Sequence, residues 1–241
     1  MIYFSTKYRS TQVEIMDDLD FQGTEMKNLL SDLDRVNKWL GGNTVTIKGI
    51  IHLIKTNPHL KKVTILDLGC GDGQMLRQCA RYAEKHGYEF ELVGLDANGF
   101  ILEEAKVRSK GFDTVSYIQG DVFSEEIDFS RYDIVLGTLF FHHFNEKDIL
   151  LLLDKILATV KVGVVINDLH RSWLAFGLFK IVSHIFLKTE TARFDGLVSI
   201  ARGFRRKELE QLQARVRVQN IQAFISWKWA FRYQWILKKI K

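Results

Sequence analysis

The sequence is poor in the features that mark disulfide-rich, proline-rich and membrane-spanning proteins. Its 241 residues include 2 cysteines and 1 proline. Two cysteines, Cys70 and Cys79, are too few for a disulfide-stapled scaffold, and a single proline excludes proline-rich linkers. The apolar stretch at residues 173–187 is shorter than the ~20 residues that cross a bilayer. An ordinary hydrophobic core within one domain is therefore expected.

The net charge and the first residues of the chain are less informative about function. The formal net charge is +5, with many of the basic residues near the C-terminal end. Such residues could contact RNA or an anionic membrane, but because most such clusters are solvated faces, nucleic acid is not expected as a partner. The first residues lack the charged and apolar regions of a secretion signal, so we expect a cytoplasmic protein with reduced thiols. Association with a membrane surface stays open.

The most informative stretch is 64–73, which has the sequence T-I-L-D-L-G-C-G-D-G. It begins with residues suited to a buried strand and continues with three alternating glycines, Gly69, Gly71 and Gly73. Apolar residues at helical spacing follow. This order of strand, glycine turn and helix is typical of the ligand-binding corner of a doubly wound α/β sheet.

Acidic residues in this turn indicate the charge of the ligand. Asp67 ends the strand, and Asp72 lies between two glycines. Carboxylates repel phosphate and attract cations, so a ligand with a positive end fits better than a dinucleotide. S-adenosylmethionine, with its ammonium and sulfonium, is such a ligand.

Further strands and helices are predicted along the chain. Helices are expected at 24–40, 46–56, from Asn145 onward and at 207–213. Strands are expected at 90–96, 115–119, 132–136, 162–166, 216–226 and 231–236. Five strands alternating with helices, followed by a terminal hairpin, predict an α/β fold with a mostly parallel, seven-stranded sheet and an antiparallel last strand.

The acid and glycine pattern of Asp67, Gly69, Gly71 and Gly73 resembles motif I of the class I S-adenosylmethionine-dependent methyltransferases. The resemblance implies a Rossmann-like sheet and S-adenosyl-L-methionine as the cofactor. Asp96, about 20 residues after the turn, is expected to bind the ribose diol. Gly120-Asp121-Val122 is similar to the family motif in which an acid reaches the adenine amino group and its neighbour covers the ring. The predicted cofactor-binding residues are Asp67, Gly69, Cys70, Gly71, Asp96, Ala97, Asp121, Val122 and Thr138.

Three histidines are candidate general bases. His142, His143 and His170 follow strands four and five, whose ends lie on the cofactor side. A base is needed only if the acceptor loses a proton, and a structural role for each histidine stays open. No metal is predicted, because catechol-type relatives use several acids here and this chain offers only Asp168 and Asn167.

We expect one methyltransferase domain over residues 1–241. It divides into an N-terminal helical extension at 1–60, a cofactor-binding core at 61–171, an apolar insert or lid at 172–204, and a C-terminal helix and hairpin at 205–241. The apolar residues of 173–187 cover more than one helical stripe. We predict a helical roof over the acceptor pocket, and a homodimer face or a peripheral membrane contact stays open.

The chain from residue 24 onward resembles the small-molecule branch that includes quinone-type and polyketide-type methylases. This implies methylation of a lipophilic small molecule at oxygen or carbon. The absence of an N-P-P-Y-type motif after strand four argues against N-methylation of bases and glutamines. The alternatives are a protein or RNA methyltransferase, or a module that binds the cofactor without turnover.

Overall fold

The computed structural model describes residues 2–240, which form eight α-helices and seven strands. The helices are α1 (Gly23–Leu40), α2 (Gly42–Lys55), α3 (Gln74–His86), α4 (Gly99–Arg108), α5 (Glu146–Thr159), α6 (Trp173–Phe186), α7 (Glu190–Arg202) and α8 (Arg206–Arg215). The strands are β1 (Lys62–Leu68), β2 (Glu89–Asp96), β3 (Val115–Gln119), β4 (Ile134–Thr138), β5 (Gly163–Leu169), β6 (Ile221–Lys228) and β7 (Arg232–Lys239).

All seven strands form one sheet in the order β3-β2-β1-β4-β5-β7-β6. Strands β1 to β5 are parallel, and β7 runs antiparallel to both β5 and β6. The predicted fold is therefore confirmed, including the antiparallel last strand. Chain order reverses at β1, which pairs with β2 on one side and β4 on the other. The crevice at this reversal is where open α/β sheets bind ligands.

Apolar side chains on the two sheet faces build two cores. On one face, β-strand residues such as Val135 and Val164 pack with α5 and α8, and Leu152 and Leu209 are fully covered. On the other face, Ile65 and Val165 pack with α2 and α3. Central parallel strands are buried on both sides, which explains their nearly continuous apolar sequences.

Strand ends differ from the sequence-based bounds where polar residues continue the ladder. β4 runs through Thr138, and β5 continues to Leu169 rather than ending at residue 166. The register pairs Thr138 with Asn167 and continues on the other side of β5 with Asp168 opposite Tyr233. The prediction ended each strand where its apolar residues ended. Backbone pairing does not depend on side-chain polarity, so both strands continue further.

A third cluster covers the carboxyl ends of the parallel strands. It joins Met26 and Leu29 of α1, Ile101 of α4, Leu187, and Ala192 of α7. The segment at 193–204, expected as part of an insert, lies mostly in α7. Among residues 2–240, no helix is both long and apolar enough to cross a membrane.

Candidate functional site

A cavity of about 480 Å³ lies at the carboxyl ends of the central strands. This volume is in the range of small-molecule sites. All the residues predicted to bind the cofactor line it: Asp67, Gly69, Cys70, Gly71, Asp96, Ala97, Asp121, Val122 and Thr138. Their individual roles toward the cofactor stay predictions, but the fold brings them to one wall.

The glycine turn has the backbone that its sequence predicts. Gly69 and Gly71 have φ angles of +59° and +54°, in the left-handed region that other residues rarely adopt. A Cβ atom at Gly69 would collide with the ring of Phe140, whereas one at Gly71 would meet nothing within 4 Å. Gly69 is thus needed for packing, and Gly71 leaves open space where the cavity meets the backbone.

Two buried carboxylates face each other beside this turn. Burial and, to a lesser extent, the charge of Asp96 raise the pKa of Asp67 to about 7. Asp67 Oδ1 is buried without a hydrogen-bond partner. A buried acceptor of this kind suits an ammonium group, which would supply the missing donor and favour the charged carboxylate.

Asp96 is fixed by backbone amides. Its Oδ2 accepts a hydrogen bond from Gly71 N at 2.9 Å, and its Oδ1 accepts one from Asn98 N at 3.0 Å. Burial raises the pKa of Asp96 despite these bonds. Each oxygen keeps a lone pair for a ligand hydroxyl, which agrees with the predicted ribose role.

Asp72 does not act as the sequence argument assumed. Its Oδ2 lies 3.2 Å from Arg77 Nη2 and 2.7 Å from Arg108 Nη1. These two guanidinium groups neutralise it, so Asp72 does not carry the negative potential that was assigned to it. The argument for a cationic ligand therefore depends on Asp67 and Asp96.

His142 lies at the centre of a buried ionic cluster. Its Nδ1 is 2.7 Å from Asp168 Oδ1, and its Nε2 is 3.3 Å from Glu14 Oε1. Burial alone would lower the pKa of His142, but the carboxylates of Asp168 and Glu14 raise it to about 9. Glu14 and His142 both line the cavity, where Glu14 Oε1 and His142 Nε2 are buried and make no hydrogen bond.

His143 also lines the cavity and is only partly buried. Its Nδ1 lies 2.9 Å from Asp17 Oδ1. Arg202 donates hydrogen bonds to the carbonyl oxygens of His142 and His143, and it lies 3.2 Å from Asp17 Oδ2. These contacts connect the turn after β4 with residues 12–17 and with α7.

His170 is not brought into the site. It lies outside the cavity lining, and Trp227 Nε1 donates a hydrogen bond to its Nδ1 at 3.3 Å. Its ring is 5.0 Å from that of Tyr233. Although His170 directly follows β5, the chain there turns toward β7 rather than the ligand side, so the structure gives no support to a catalytic role.

The prediction that residues 173–187 form the roof of the pocket is wrong. None of residues 173–186 lines the cavity, whereas the 3-10 segment Ile15–Asp17 and helix α7 contribute to it. Asp195 joins these two parts, because its carboxylate accepts hydrogen bonds from Ile15 N at 2.7 Å and Met16 N at 3.0 Å. Part of the N-terminal extension, which was expected to be helical, and α7 therefore cover the cavity.

Residues Glu14, Asp17, Asp168 and Asp195 were missed as functional candidates or given another role. Asp168 had been considered only as a metal ligand. The partners of Asp17, which are His143 and Arg202, lie more than a hundred residues away in the sequence. Leu139, which also lines the cavity, has a φ of +55°. No sequence pattern indicated this strained turn, which aims Phe140 and His142 at the cavity.

Glu14, His142 and His143 come close enough to suggest a metal centre, since their ligand atoms lie within 4.8 Å of one another. A metal needs neutral imidazoles. The surrounding carboxylates instead raise the pKa of His142 to about 9, which favours the protonated ring. We therefore assign no metal to the cluster.

Comparisons with known proteins address the class of the domain. Residues 65–163 match a family model described as a methyltransferase domain. No curated protein gives a significant match. The plantazolicin methyltransferase BpumL in complex with SAH is 17% identical, with a TM-score of 0.60, covering 90% of this chain and 94% of that one.

Two more structures share the fold. Magnesium protoporphyrin IX methyltransferase (ChlM) from Synechocystis PCC 6803, with bound SAH, is 12% identical with a TM-score of 0.53, covering 96% of this chain and 90% of that one. Human N-acetylserotonin methyltransferase, in complex with SAM, is 15% identical with a TM-score of 0.61, covering 90% of this chain and 57% of that one. The predicted resemblance, methyltransferase class and fold are confirmed, and the predicted cofactor agrees with these neighbours.

Proposed function

We propose, from the premise of a methyltransferase domain at residues 65–163, that the chain transfers a methyl group from S-adenosylmethionine to an oxygen or carbon of a lipophilic small molecule. The observation that carries this proposal is a single cavity. One of its walls holds the cofactor motif residues, and another holds the Glu14–His142 pair. A donor and an acceptor bound there would lie side by side.

The cofactor wall fits the cation. Gly71 leaves space for a ligand against the backbone, Asp67 has an unpartnered buried oxygen, and Asp96 keeps acceptor capacity for a diol. When bound, S-adenosylmethionine supplies a methyl group on a positively charged sulfur. The protein's part is to align the acceptor with that group, which by itself lowers the barrier of an in-line displacement.

The acceptor wall combines apolar and ionic parts. Leu19, Leu33, Phe140 and Phe144 line it with apolar surface. Glu14 and His142 provide the polar end, and Asp168 orients the imidazole from behind. This combination suits a molecule with an apolar body and one ionisable group, such as a phenol or an enol.

In the proposed reaction, the Glu14–His142 pair accepts the proton that the acceptor loses. The acceptor atom forms a bond to the methyl carbon while the carbon–sulfur bond breaks, and the acceptor proton passes to the Glu14–His142 pair. Because Asp168 and Glu14 raise the pKa of His142 to about 9, the pair holds a proton at neutral pH and must release it before each turnover. A histidine base of ordinary pKa would lose activity in acid near pH ~6.5. Here we expect this loss at a higher pH.

The test is release of S-adenosylhomocysteine from wild-type protein against a panel of phenols, quinols, fatty acids and tRNA. We expect turnover with a phenol or quinol. Turnover with tRNA or protein alone would favour the macromolecular alternative. Tight binding of S-adenosylmethionine without product from any class would favour a cofactor-binding module.

A further inference from the structure

Helix α6 presents an apolar face to solvent. Trp173, Ile181 and Ile185 have 69%, 68% and 74% of their surface exposed, and Leu174 and Leu178 are exposed beside them. Gly177 lies in the same stripe, where an added Cβ would meet nothing within 4 Å. We call these residues the α6 face: Trp173, Leu174, Gly177, Leu178, Ile181 and Ile185.

The opposite side of the helix already fixes it to the domain. Ala175 and Ser183 are buried, and the ring of Phe179 packs so closely on Gly196 of α7 that a Cβ there would collide with it. Phe176 lies 4.7 Å from the ring of Phe4. The α6 face is therefore not needed for packing within the chain, and contiguous exposed apolar surface of this kind marks an interaction site.

The charged residues of the segment that contains α6 have one sign. The chain contains no Asp or Glu between Asp168 and Glu190, while Lys180 and Lys188 are exposed. Trp39 stacks on Phe186 at 4.5 Å and extends the apolar surface. Lysines that border apolar side chains and tryptophans are typical of helices that lie on anionic lipid.

A second copy of the chain is the other occupant that the face could take. In a symmetric dimer the same face meets itself, so the exposed Lys180 and Lys188 of the two copies would come near one another. An anionic bilayer instead attracts these lysines, and each apolar side chain that enters it contributes separately.

We propose that the α6 face docks the protein on the surface of an anionic lipid bilayer, with α6 lying in the plane of the interface. Helix α6 packs on α7, and α7 lines the cavity through Asp195, Gly196 and Ser199. A docked protein would therefore hold the cavity about one helix layer from the lipid. The docking itself does not depend on the proposed methyl transfer.

The experiment is co-sedimentation of the purified chain with vesicles of phosphatidylcholine containing about one third phosphatidylglycerol. We expect binding that weakens with added salt and is much weaker on pure phosphatidylcholine. Ile181→Ser combined with Ile185→Ser should lower the partition coefficient at least about tenfold. Gly177→Leu should raise it, because the new side chain adds apolar area on the same face without an internal clash.

The matched control is Val107→Ser combined with Leu151→Ser, since these residues on α4 and α5 are 56% and 58% exposed outside the α6 face. The control should bind as wild type does, and circular dichroism should show all variants folded. Binding unchanged by the double isoleucine substitution would overturn the proposal. So would a wild-type protein that ignores vesicles but forms a dimer that this substitution splits.

Discussion

The two walls of the cavity are built in different ways. The cofactor wall comes from the ends of the adjacent strands β3, β2, β1 and β4, and its residues lie within short motifs between Asp67 and Thr138. The acceptor wall joins Glu14, His142 and Asp195, which are scattered over most of the chain. The first wall follows from local sequence and sheet order, whereas the second exists only after the termini of the fold have packed.

This difference has a chemical consequence. On the cofactor wall, backbone groups and two carboxylates are proposed to hold S-adenosylmethionine, a ligand with a positive charge. On the acceptor wall, an imidazole lies between Asp168 and Glu14, at 2.7 and 3.3 Å. Substitutions in the acceptor wall should therefore change turnover, and those in the cofactor wall should change affinity.

The largest effect is expected from the Glu14–His142 pair. His142→Asn or Glu14→Gln should lower kcat by roughly 100-fold to 10,000-fold, because the acceptor proton then lacks its base. Cofactor affinity, measured by calorimetry, should stay unchanged. His170→Asn is the matched control and should keep wild-type turnover, since His170 lies outside the cavity lining. Equal activity in all three variants would mean that alignment alone accounts for the rate.

The pH dependence of the rate should be the next largest effect. Because Asp168 and Glu14 raise the pKa of His142 to about 9, kcat/KM should rise with pH up to that value. The increase should be about tenfold for each pH unit well below it, or roughly 50-fold from pH 7 to 9. Glu14→Gln removes one carboxylate that raises the pKa, so the midpoint of its residual activity should move to lower pH. A flat profile in the wild type would contradict this role of the Glu14–His142 pair.

Asp96→Ala should act on the other wall. Loss of the charge-assisted hydrogen bonds to the ribose, at about 1.5 to 3 kcal/mol each, should weaken cofactor binding by at least about tenfold. Asp113→Ala, at an exposed position, is the control for a lost surface charge. A folded Asp96→Ala protein that binds S-adenosylhomocysteine as tightly as wild type would remove Asp96 from the ribose site.

The smallest effect concerns Asp67. Burial and the charge of Asp96 raise its pKa to about 7, so about half of the ligand-free molecules carry a proton there at neutral pH. An ammonium placed beside Asp67 favours the charged form, so binding should release a proton. The affinity for S-adenosylhomocysteine should therefore increase about tenfold from pH 6 to pH 8. Calorimetry in buffers of different ionisation enthalpy measures this release, and Asp67→Asn should abolish it.

Sequence patterns were sufficient for most of the scaffold. Apolar periodicity placed the seven strands and all the helices of the described residues except α4 and α7. The residues from Asp67 to Thr138 that were expected around the cofactor all line one cavity. The reason is that each of these features is local. A glycine turn is required at its own position, and parallel strands place their carboxyl ends at one edge whatever else surrounds them.

Tertiary structure alone decided the acceptor wall. Nothing in the sequence near Glu14 indicates His142, and His142 and His170 looked equivalent until packing separated them. The same holds for Asp72, whose charge is neutralised by Arg77 and by Arg108 of α4. Periodicity showed that α6 carries surplus apolar residues, but only the packed structure shows that they face away from the cavity. Electrostatic and packing partners distant in sequence leave no periodic pattern, so their pairing, and with it the chemistry of the site, is fixed only when the chain has folded.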